Sequence, residues 1–139
     1  MRKNINSFGA KHILDVATGT ADLAIEMTKI SGSQIVGVDI SQGMLDFGQI
    51  KLNQKKLTHR IRLTQADSEK LPFQEGDFDA VTVSFGVRNF ENLLAGLAEM
   101  HRVLKPGGPM VVLEFSKPTN PVFSKLYWFY SKNILPLMG

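Results

Sequence analysis

The chain of 139 residues contains no cysteine, which excludes disulfides, thiolate nucleophiles and thiolate metal sites. Its three histidines, His12, His59 and His101, are too far apart in sequence to indicate a metal cluster. It also lacks a membrane-spanning apolar run and a signal-peptide pattern, so we expect a cytoplasmic protein. The chain also has little net charge, because its 16 Lys and Arg residues nearly balance its 13 Asp and Glu residues. This balance does not call for a nucleic-acid partner.

What is present is enough apolar sequence for one core. Hydrophobic residues make up 43% of the chain, and this length leaves no room for a second domain of ordinary size. Segments that suit buried strands alternate with helical patterns. The alternation predicts an α/β fold with a doubly wound, mostly parallel sheet in the order 3-2-1-4-5, since right-handed crossovers place the first and fourth strands side by side. We expect one domain over residues 1–139.

A turn of small residues follows the first predicted strand, which ends at Val16. Residues 17–21 read Ala-Thr-Gly-Thr-Ala, and a helical pattern begins directly behind them. A ligand can approach the backbone of such a turn closely, which makes it a candidate nucleotide-binding turn. The same pattern also occurs where a helix only packs tightly on a sheet.

An acidic residue closes the second predicted strand, residues 34–38. Asp39 stands 24 residues after Asp15 and 20 after Gly19, the distance at which an acid reaches ribose hydroxyls in dinucleotide-type folds. The alternative is that Asp39 only caps the helix that begins near Gly43. We favour ribose binding because the spacing fits a known geometry.

Two further loops leave the carboxyl ends of predicted strands. Residues 65–73 combine Asp67 with Leu71 and Phe73, so the carboxylate can accept from an exocyclic amine while the apolar side chains flank a flat ring. The alternative is a turn anchored by two core residues. Residues 85–90 follow the fourth strand, 78–84, and face the same predicted crevice.

The last segment, residues 121–139, is apolar nearly all round and predicts a covered helix. Three interpretations remain open: core packing, a lid over an apolar substrate, and an interfacial membrane helix that carries Lys125 and Lys132.

Four segments in this order resemble the Rossmann-like class I S-adenosylmethionine-dependent methyltransferases. They are Ile13 to Thr20, Val38 to Met44, Ala66 to Phe73 and Leu104 to Gly108. Three others resemble more narrowly the ubiquinone/menaquinone biosynthesis C-methyltransferases, which methylate a ring carbon of a polyprenylated quinol precursor. These are Phe85 to Phe90, Leu113 to Pro118 and Tyr127 to Gly139.

The resemblance implies a set of cosubstrate contacts. Asp15 and the turn of Ala17, Thr18 and Gly19 lie near the methionine part of S-adenosylmethionine, with Asp22 beside its amino group. The remaining implied contacts are Asp39 to both ribose hydroxyls, Met44 to one adenine face, Asp67 to the adenine amine with Ser68 beside it, and Ser84 near the methionine end.

On the acceptor side, the resemblance places Arg88 and Asn89 against the quinol substrate. The implied reaction is an in-line methyl transfer to an electron-rich ring carbon, without a metal. Arg88 is suited to stabilise a phenolate, because a guanidinium stays charged and cannot act as a simple proton acceptor. The alternative for Arg88 is a salt bridge at a helix start.

The chain departs from the family in two ways. It has Ala21 where the family usually has Gly, which places a methyl group in the tightest part of the turn. It is also incomplete at both ends relative to the family, so strand five is expected to be an exposed edge. That edge, or the aromatic C-terminal helix, would allow self-association, and a lipid-soluble quinol would require peripheral contact with the inner face of the membrane.

Other functions compete with this hypothesis. They are methylation of another small molecule and a truncated, non-catalytic cofactor-binding module. A nicotinamide-dependent oxidoreductase shares the turn and the distal acid, but the chain has neither a Tyr-x-x-x-Lys pair nor a Gly-x-Gly-x-x-Gly turn.

Overall fold

The computed structural model describes residues 11–84, 92–115 and 124–130. Strands and helices alternate along most of the chain, as the sequence pattern predicts. The strands are β1 (His12–Val16), β2 (Gln34–Asp39), β3 (Ile61–Gln65), β4 (Ala80–Ser84), β5 (Pro109–Phe115) and β6 (Ser124–Tyr130), and the helices are α1 (Asp22–Met27), α2 (Gln42–Lys55) and α3 (Leu93–Val103).

One sheet contains all six strands in the order β3-β2-β1-β4-β5-β6. The first five are parallel, with β1 between β2 and β4. The predicted order 3-2-1-4-5 is therefore confirmed. The chain changes direction across the sheet between β1 and β4, the switch point at which open α/β sheets form a crevice.

The core consists of two apolar clusters, one on each face of the sheet, because successive strand residues point to opposite faces. Leu14 packs in one cluster with Met100 of α3, and both are fully buried. Ile13 packs in the other with Met27 of α1 and Leu52 of α2, also fully buried. The α1 and α2 helices therefore lie on one face of the sheet and α3 on the other.

The predicted C-terminal helix is wrong for residues 124–130. This segment forms β6, which runs antiparallel to β5 over the whole length of β5. The aromatic and apolar run from 126 to 130 has high strand propensity, and the backbone groups along β5 provide a partner for it. The expected exposed edge of β5 is therefore wrong as well, and so is self-association through that edge. Residues 121–123 and 131–139 lie outside the described residues.

The α1 helix is shorter than the sequence pattern predicts, ending at Met27 although Ile30 remains buried. The reason is a side chain from a distant segment. Arg60 donates to the carbonyl oxygens of Thr28, Ile30 and Ser33 at 2.7–3.1 Å, which holds the following residues in turns. Within the described residues, no helix is long and apolar enough to cross a membrane.

Candidate functional site

The carboxyl ends of the parallel strands bring the predicted cosubstrate residues to one edge of the sheet. Strands β1, β2, β3 and β4 end at Val16, Asp39, Gln65 and Ser84 on this edge. In such sheets ligands bind in the crevice outside this edge. The topology therefore brings together residues that are up to about 70 positions apart in the sequence.

The turn after β1 has an unusual backbone. Ala17, Gly19 and Ala21 all adopt left-handed conformations, with φ of 56°, 61° and 73°. For a non-glycine residue this conformation costs roughly 1–2 kcal/mol. The fold maintains it because the N–H of Thr18 donates to the carbonyl of Val38 in β2, and the N–H of Ala21 to the carbonyl of Thr18, both at 2.9 Å. Strain held in place in this way is typical of functional turns.

Asp15 supports this turn from inside the protein. Its side chain is 1% exposed. Thr82 Oγ1 donates to one carboxylate oxygen at 2.7 Å and Thr18 Oγ1 to the other at 2.8 Å. Burial raises the pKa of Asp15 to about 6, although both hydroxyl bonds oppose that shift. Asp15 therefore joins the turn to β4 rather than facing the crevice.

Gly37 is a residue of this site that the sequence analysis missed. A Cβ atom at this position would lie 2.8 Å from Thr18 Oγ1. Only glycine lets the Thr18 side chain reach Asp15 beside β2. The signal in the sequence is a glycine inside a strand of β-branched residues, which indicates close approach of another group.

Asp39 connects the turn with the start of α2. The N–H of Gly19 donates to Asp39 Oδ2 at 2.8 Å, and the N–H of Ser41 donates to Oδ1 at 2.9 Å. Each carboxylate oxygen can accept a further hydrogen bond. The cap of α2 is Ser41, whose Oγ accepts from the N–H of Met44 at 3.2 Å. Capping therefore does not need the Asp39 side chain, so the alternative interpretation of Asp39 loses its basis.

Apolar side chains flank this carboxylate. Met44 is 43% exposed, and its Cε atom lies 3.5 Å from the position that a Cβ on Gly19 would occupy. Ile40, directly after Asp39, is 69% exposed. Ile40 is not among the predicted site residues, although an apolar residue next to the ribose-binding candidate is a usable signal. The edge therefore offers apolar surface beside a hydrogen-bonding carboxylate.

The loop after β3 reaches the same place. The N–H of Ala66 donates to the carbonyl of Asp39 at 3.1 Å. Asp67 is exposed, and its Oδ1 accepts from the N–H of Glu69 at 2.9 Å. In the part of the chain that the structure describes, neither Asp39 nor Asp67 has a lysine or arginine as an ion-pair partner. Both carboxylates therefore remain suited to a neutral diol or amine donor.

The structure places Asp22 differently from the expectation. Its carboxylate is 79% exposed and pairs with Lys51 Nζ of α2 at 2.6 Å. The same Nζ donates to Thr20 Oγ1 at 2.9 Å. An ion pair this exposed is worth little, so a ligand amine can replace the lysine at small cost. The role of Asp22 beside an amino group stays a prediction.

The predicted acceptor residues, Arg88 and Asn89, lie outside the described residues. Ser84 ends β4 beside Leu113 of β5, which puts its backbone at the carboxyl edge. The two remaining predicted residues of the turn and loop, Thr18 and Ser68, are respectively buried and half-buried.

The structure shows where the methyl group of Ala21 lies. Its side chain is fully buried in the cluster around Ile13, Ala24 and Met27. The extra methyl group therefore packs into the core on the α1 side and does not narrow the ligand-facing part of the turn.

A cavity of about 620 Å³ lies at the opposite, amino edge of the sheet. It is lined in part by the basic side chains of Lys11, His12, His59 and Arg62. None of the predicted cosubstrate residues lines this cavity. The candidate site at the carboxyl edge is therefore separate from this cavity.

Comparisons with known proteins agree with this geometry. The sequence model of the ubiE/COQ5 methyltransferase family matches residues 1–139. A relative from Geobacter sp. (strain M21), named ubiquinone/menaquinone biosynthesis C-methyltransferase UbiE, is 48% identical over 99% of this chain. One from Porphyromonas gingivalis, named demethylmenaquinone methyltransferase, is 44% identical over 97% of this chain.

The chain spans 59% and 56% of the lengths of these two relatives. A crystal structure from Methanococcus maripaludis, provisionally described as an S-adenosyl-L-methionine-dependent methyltransferase, superimposes with a TM-score of 0.76 at 26% identity. The superposition covers 82% of this chain and 53% of that structure.

Proposed function

Because the chain belongs to the ubiE/COQ5 methyltransferase family, we propose that it forms the S-adenosylmethionine-binding core of a C-methyltransferase. The acceptor is a polyprenylated quinol precursor of menaquinone or ubiquinone. The proposal rests on the geometry of Asp39 at the end of β2. Its two carboxylate oxygens accept from the N–H groups of Gly19 and Ser41, and each oxygen can accept a further hydrogen bond.

The residues present fit this cosubstrate. Asp39 accepts from the two ribose hydroxyls, and Asp67 accepts from the adenine amine with Ser68 beside it. Met44 and Ile40 provide exposed apolar surface for the purine ring. Carboxylates and backbone carbonyls at this edge suit a ligand that carries a sulfonium cation.

The strained turn brings backbone close to the methionine part of the ligand. Asp15 acts through the turn, because it accepts one hydrogen bond from Thr18 of the turn and the other from Thr82 of β4. When bound, S-adenosylmethionine supplies a methyl group on a sulfonium ion, which an electron-rich ring carbon can take with loss of a ring proton. Arg88 holds the acceptor oxygen as a phenolate, and Asn89 orients the ring.

A polyprenylated acceptor resides in a membrane, so the proposal includes a cytoplasmic protein that contacts the inner membrane face peripherally. The support is the chemistry of the acceptor named for the relatives. Co-sedimentation with vesicles that contain the quinol tests this part; protein that stays in the supernatant contradicts it.

Titration calorimetry with S-adenosylhomocysteine tests the cosubstrate site. We expect Asp39→Ala to weaken binding by at least about 30-fold, since hydrogen bonds to a charged group contribute roughly 1.5–3 kcal/mol each. Asp39→Asn keeps the side-chain shape and serves as a second variant in case Asp39→Ala fails to fold. Thermal unfolding shows whether each variant is folded. The matched control is Asp46→Ala, which removes an exposed carboxylate of α2 that accepts from the side-chain amide of Gln42 at 2.9 Å. Unchanged affinity in both Asp39 variants contradicts the site.

A methyl-transfer assay tests the acceptor. Radiolabelled methyl from S-adenosylmethionine is followed into a naphthoquinol and a benzoquinol that carry short prenyl chains. We expect labelled product from at least one of them, and its loss in Arg88→Gln. Binding of S-adenosylhomocysteine without transfer to either quinol favours the non-catalytic binding module.

A further inference from the structure

An ion pair on α3 holds the loop that carries Asp67. Glu99 and Arg102 lie one helical turn apart, and Arg102 Nε donates to Glu99 Oε2 at 2.6 Å. The two side chains are 20% and 35% exposed, so solvent reaches the pair only in part. Neither residue touches the carboxyl edge where the cosubstrate residues meet.

Both side chains also bind the backbone of residues 66–73, named here the Asp67 loop. Glu99 Oε1 accepts from the N–H of Leu71 at 2.8 Å. Arg102 Nη2 donates to the carbonyl of Leu71 at 3.0 Å, and Nη1 donates to the carbonyl of Phe73 at 2.8 Å. These backbone groups belong to no strand or helix, so the ion pair supplies partners that secondary structure does not.

The loop is thus fixed at both ends. At its start, the N–H of Ala66 donates to the carbonyl of Asp39. At its end, Leu71 is 4% exposed in the core, and Phe73 packs edge-on against Phe78 with ring centroids 5.0 Å apart. Between these anchors, Asp67 is exposed and Ser68 is half-buried. The N–H of Lys70 donates to the carbonyl of Asp67 at 2.9 Å, so residues 67–70 form a local turn between the two anchored ends.

A third contact joins the loop to the beginning of α3. Glu69 Oε2 accepts from the N–H of Asn92, the residue that caps α3. The helix therefore contacts the loop at its first turn through Asn92 and at its last turns through Glu99 and Arg102. A shift of the loop relative to α3 would break all of these bonds together.

We propose that Glu99 and Arg102 are positioning residues that hold Asp67 at the depth required to recognise an exocyclic amine, an inference that rests on the proposed function. They act through the backbone of Leu71 and Phe73. A guanidinium is required because its planar fork can bond two carbonyls and a carboxylate at once, whereas a lysine ammonium is a point charge.

The first measurement needs no ligand. Amide hydrogen exchange of residues 66–73 is compared in the wild type, Arg102→Gln, Arg102→Lys and Glu99→Gln. The N–H of Leu71 donates to Glu99 Oε1, which Arg102 holds in place. We therefore expect exchange of Leu71 to increase at least about tenfold in Arg102→Gln, because weakening one charged hydrogen bond corresponds to that factor or more. Arg102→Lys should recover little of the protection.

The second measurement uses two ligands that differ at the purine amine, S-adenosylhomocysteine and S-inosylhomocysteine. We expect the wild type to prefer the adenosine compound by about 10- to 100-fold, since an unmatched polar contact is penalised by this amount. In Arg102→Gln the preference should fall to within about threefold. A general loss of stability would lower the affinity for both ligands by the same factor and leave the ratio of the two affinities unchanged.

The matched control is Lys105→Gln. Lys105 Nζ forms an ion pair with Asp79 at 2.7 Å at the amino edge, and among the described residues neither side chain bonds to the Asp67 loop. This variant should keep both the exchange of Leu71 and the ligand preference of the wild type. If Arg102→Gln behaves like Lys105→Gln in both measurements, the positioning role is wrong. If the wild type binds neither ligand, the proposed function fails, whereas the exchange measurement still decides whether the ion pair holds the loop.

Discussion

Asp15 and Asp79 hold the two ends of β1 by opposite electrostatic means. At the carboxyl end, Asp15 is fully buried, accepts from the hydroxyls of Thr18 and Thr82, and has a pKa raised to about 6 by burial. At the amino end, Asp79 is 24% exposed and bonds to Lys105. It also accepts from the backbone N–H groups of Lys11 and His12 at 3.0 and 2.9 Å. These bonds lower the pKa of Asp79 although burial opposes them.

The difference distinguishes a contact that stabilises the fold, Asp79, from one that fixes the turn of the candidate site, Asp15. Asp79 is ionised at little cost, because a cation and two N–H groups stabilise the charge. The carboxylate of Asp15 lies in the core, where its ionised form lowers the stability of the fold, and it fixes the turn that faces the crevice. Stability given up at one edge of a sheet is typical of functional sites.

The backbone shows the same contrast. Among the described residues, the left-handed positions at the amino edge are Gly32, Gly76, Gly107 and Lys56. Those at the carboxyl edge are Ala17, Gly19 and Ala21 of the turn. Two of these three carry a side chain, so the turn holds backbone strain that a glycine avoids.

The largest expected effect is on the pH dependence of stability in Asp15→Asn. Because the folded pKa is raised from 3.8 to about 6, the native state binds more protons than the unfolded state between these pH values. The contribution of Asp15 to the free energy of unfolding of the wild type is therefore lost as pH rises from about 4 to 6. The asparagine variant avoids this loss, so its stability relative to the wild type should rise by roughly 3 kcal/mol.

Urea unfolding of both proteins between pH 4 and pH 7.5 measures this difference, and the other titrating groups cancel in it. A flat difference across this range would show that Asp15 is not buried as an ionised carboxylate.

Asp79→Asn should show the opposite sign and a smaller effect. The lowered pKa means that the contribution of Asp79 is present at neutral pH and is lost as pH falls through the folded pKa. We expect a loss of about 1 kcal/mol at pH 7, because the Lys105 side chain is 55% exposed and the ion pair is screened. The same urea series, extended to acid pH, should show the two proteins converging. A loss that persists unchanged in acid would contradict the charge-based role.

The smallest effect is expected for Ala21→Gly compared with Lys56→Gly. Both changes relieve a left-handed conformation, with φ of 73° and 57°. Lys56 is exposed, so its replacement should stabilise the protein by about 0.5–1 kcal/mol. Ala21 loses a buried methyl group worth about 0.8 kcal/mol, so its replacement should leave stability nearly unchanged.

Affinity for S-adenosylhomocysteine should stay within about twofold in Ala21→Gly, because the methyl group faces the core. A tenfold gain would instead place the Ala21 methyl group on the ligand side of the turn.

Most of the fold follows from local patterns in the sequence. Small residues after Val16, the acid at Asp39 and the alternation of strand and helix patterns predicted β1 to β5, their order and the meeting of the candidate site residues at one edge. The segment from 124 to 130 was predicted as a helix because its apolar residues leave no polar face. Its strand conformation depends on pairing with β5, which a local pattern cannot show.

The site divides in the same way. The sequence by itself determined which acidic and small residues reach the carboxyl edge, and that Met44 reaches it too. Strand order and spacing depend on the hydrophobic pattern and on chain connectivity. Only the tertiary structure decided what each one does there. It buried Asp15 beneath the turn, paired Asp22 with Lys51, and made Gly37 necessary beside Thr18. It also tied the Asp67 loop to Arg102, since hydrogen bonds and burial between residues distant in sequence exist only after the elements have packed.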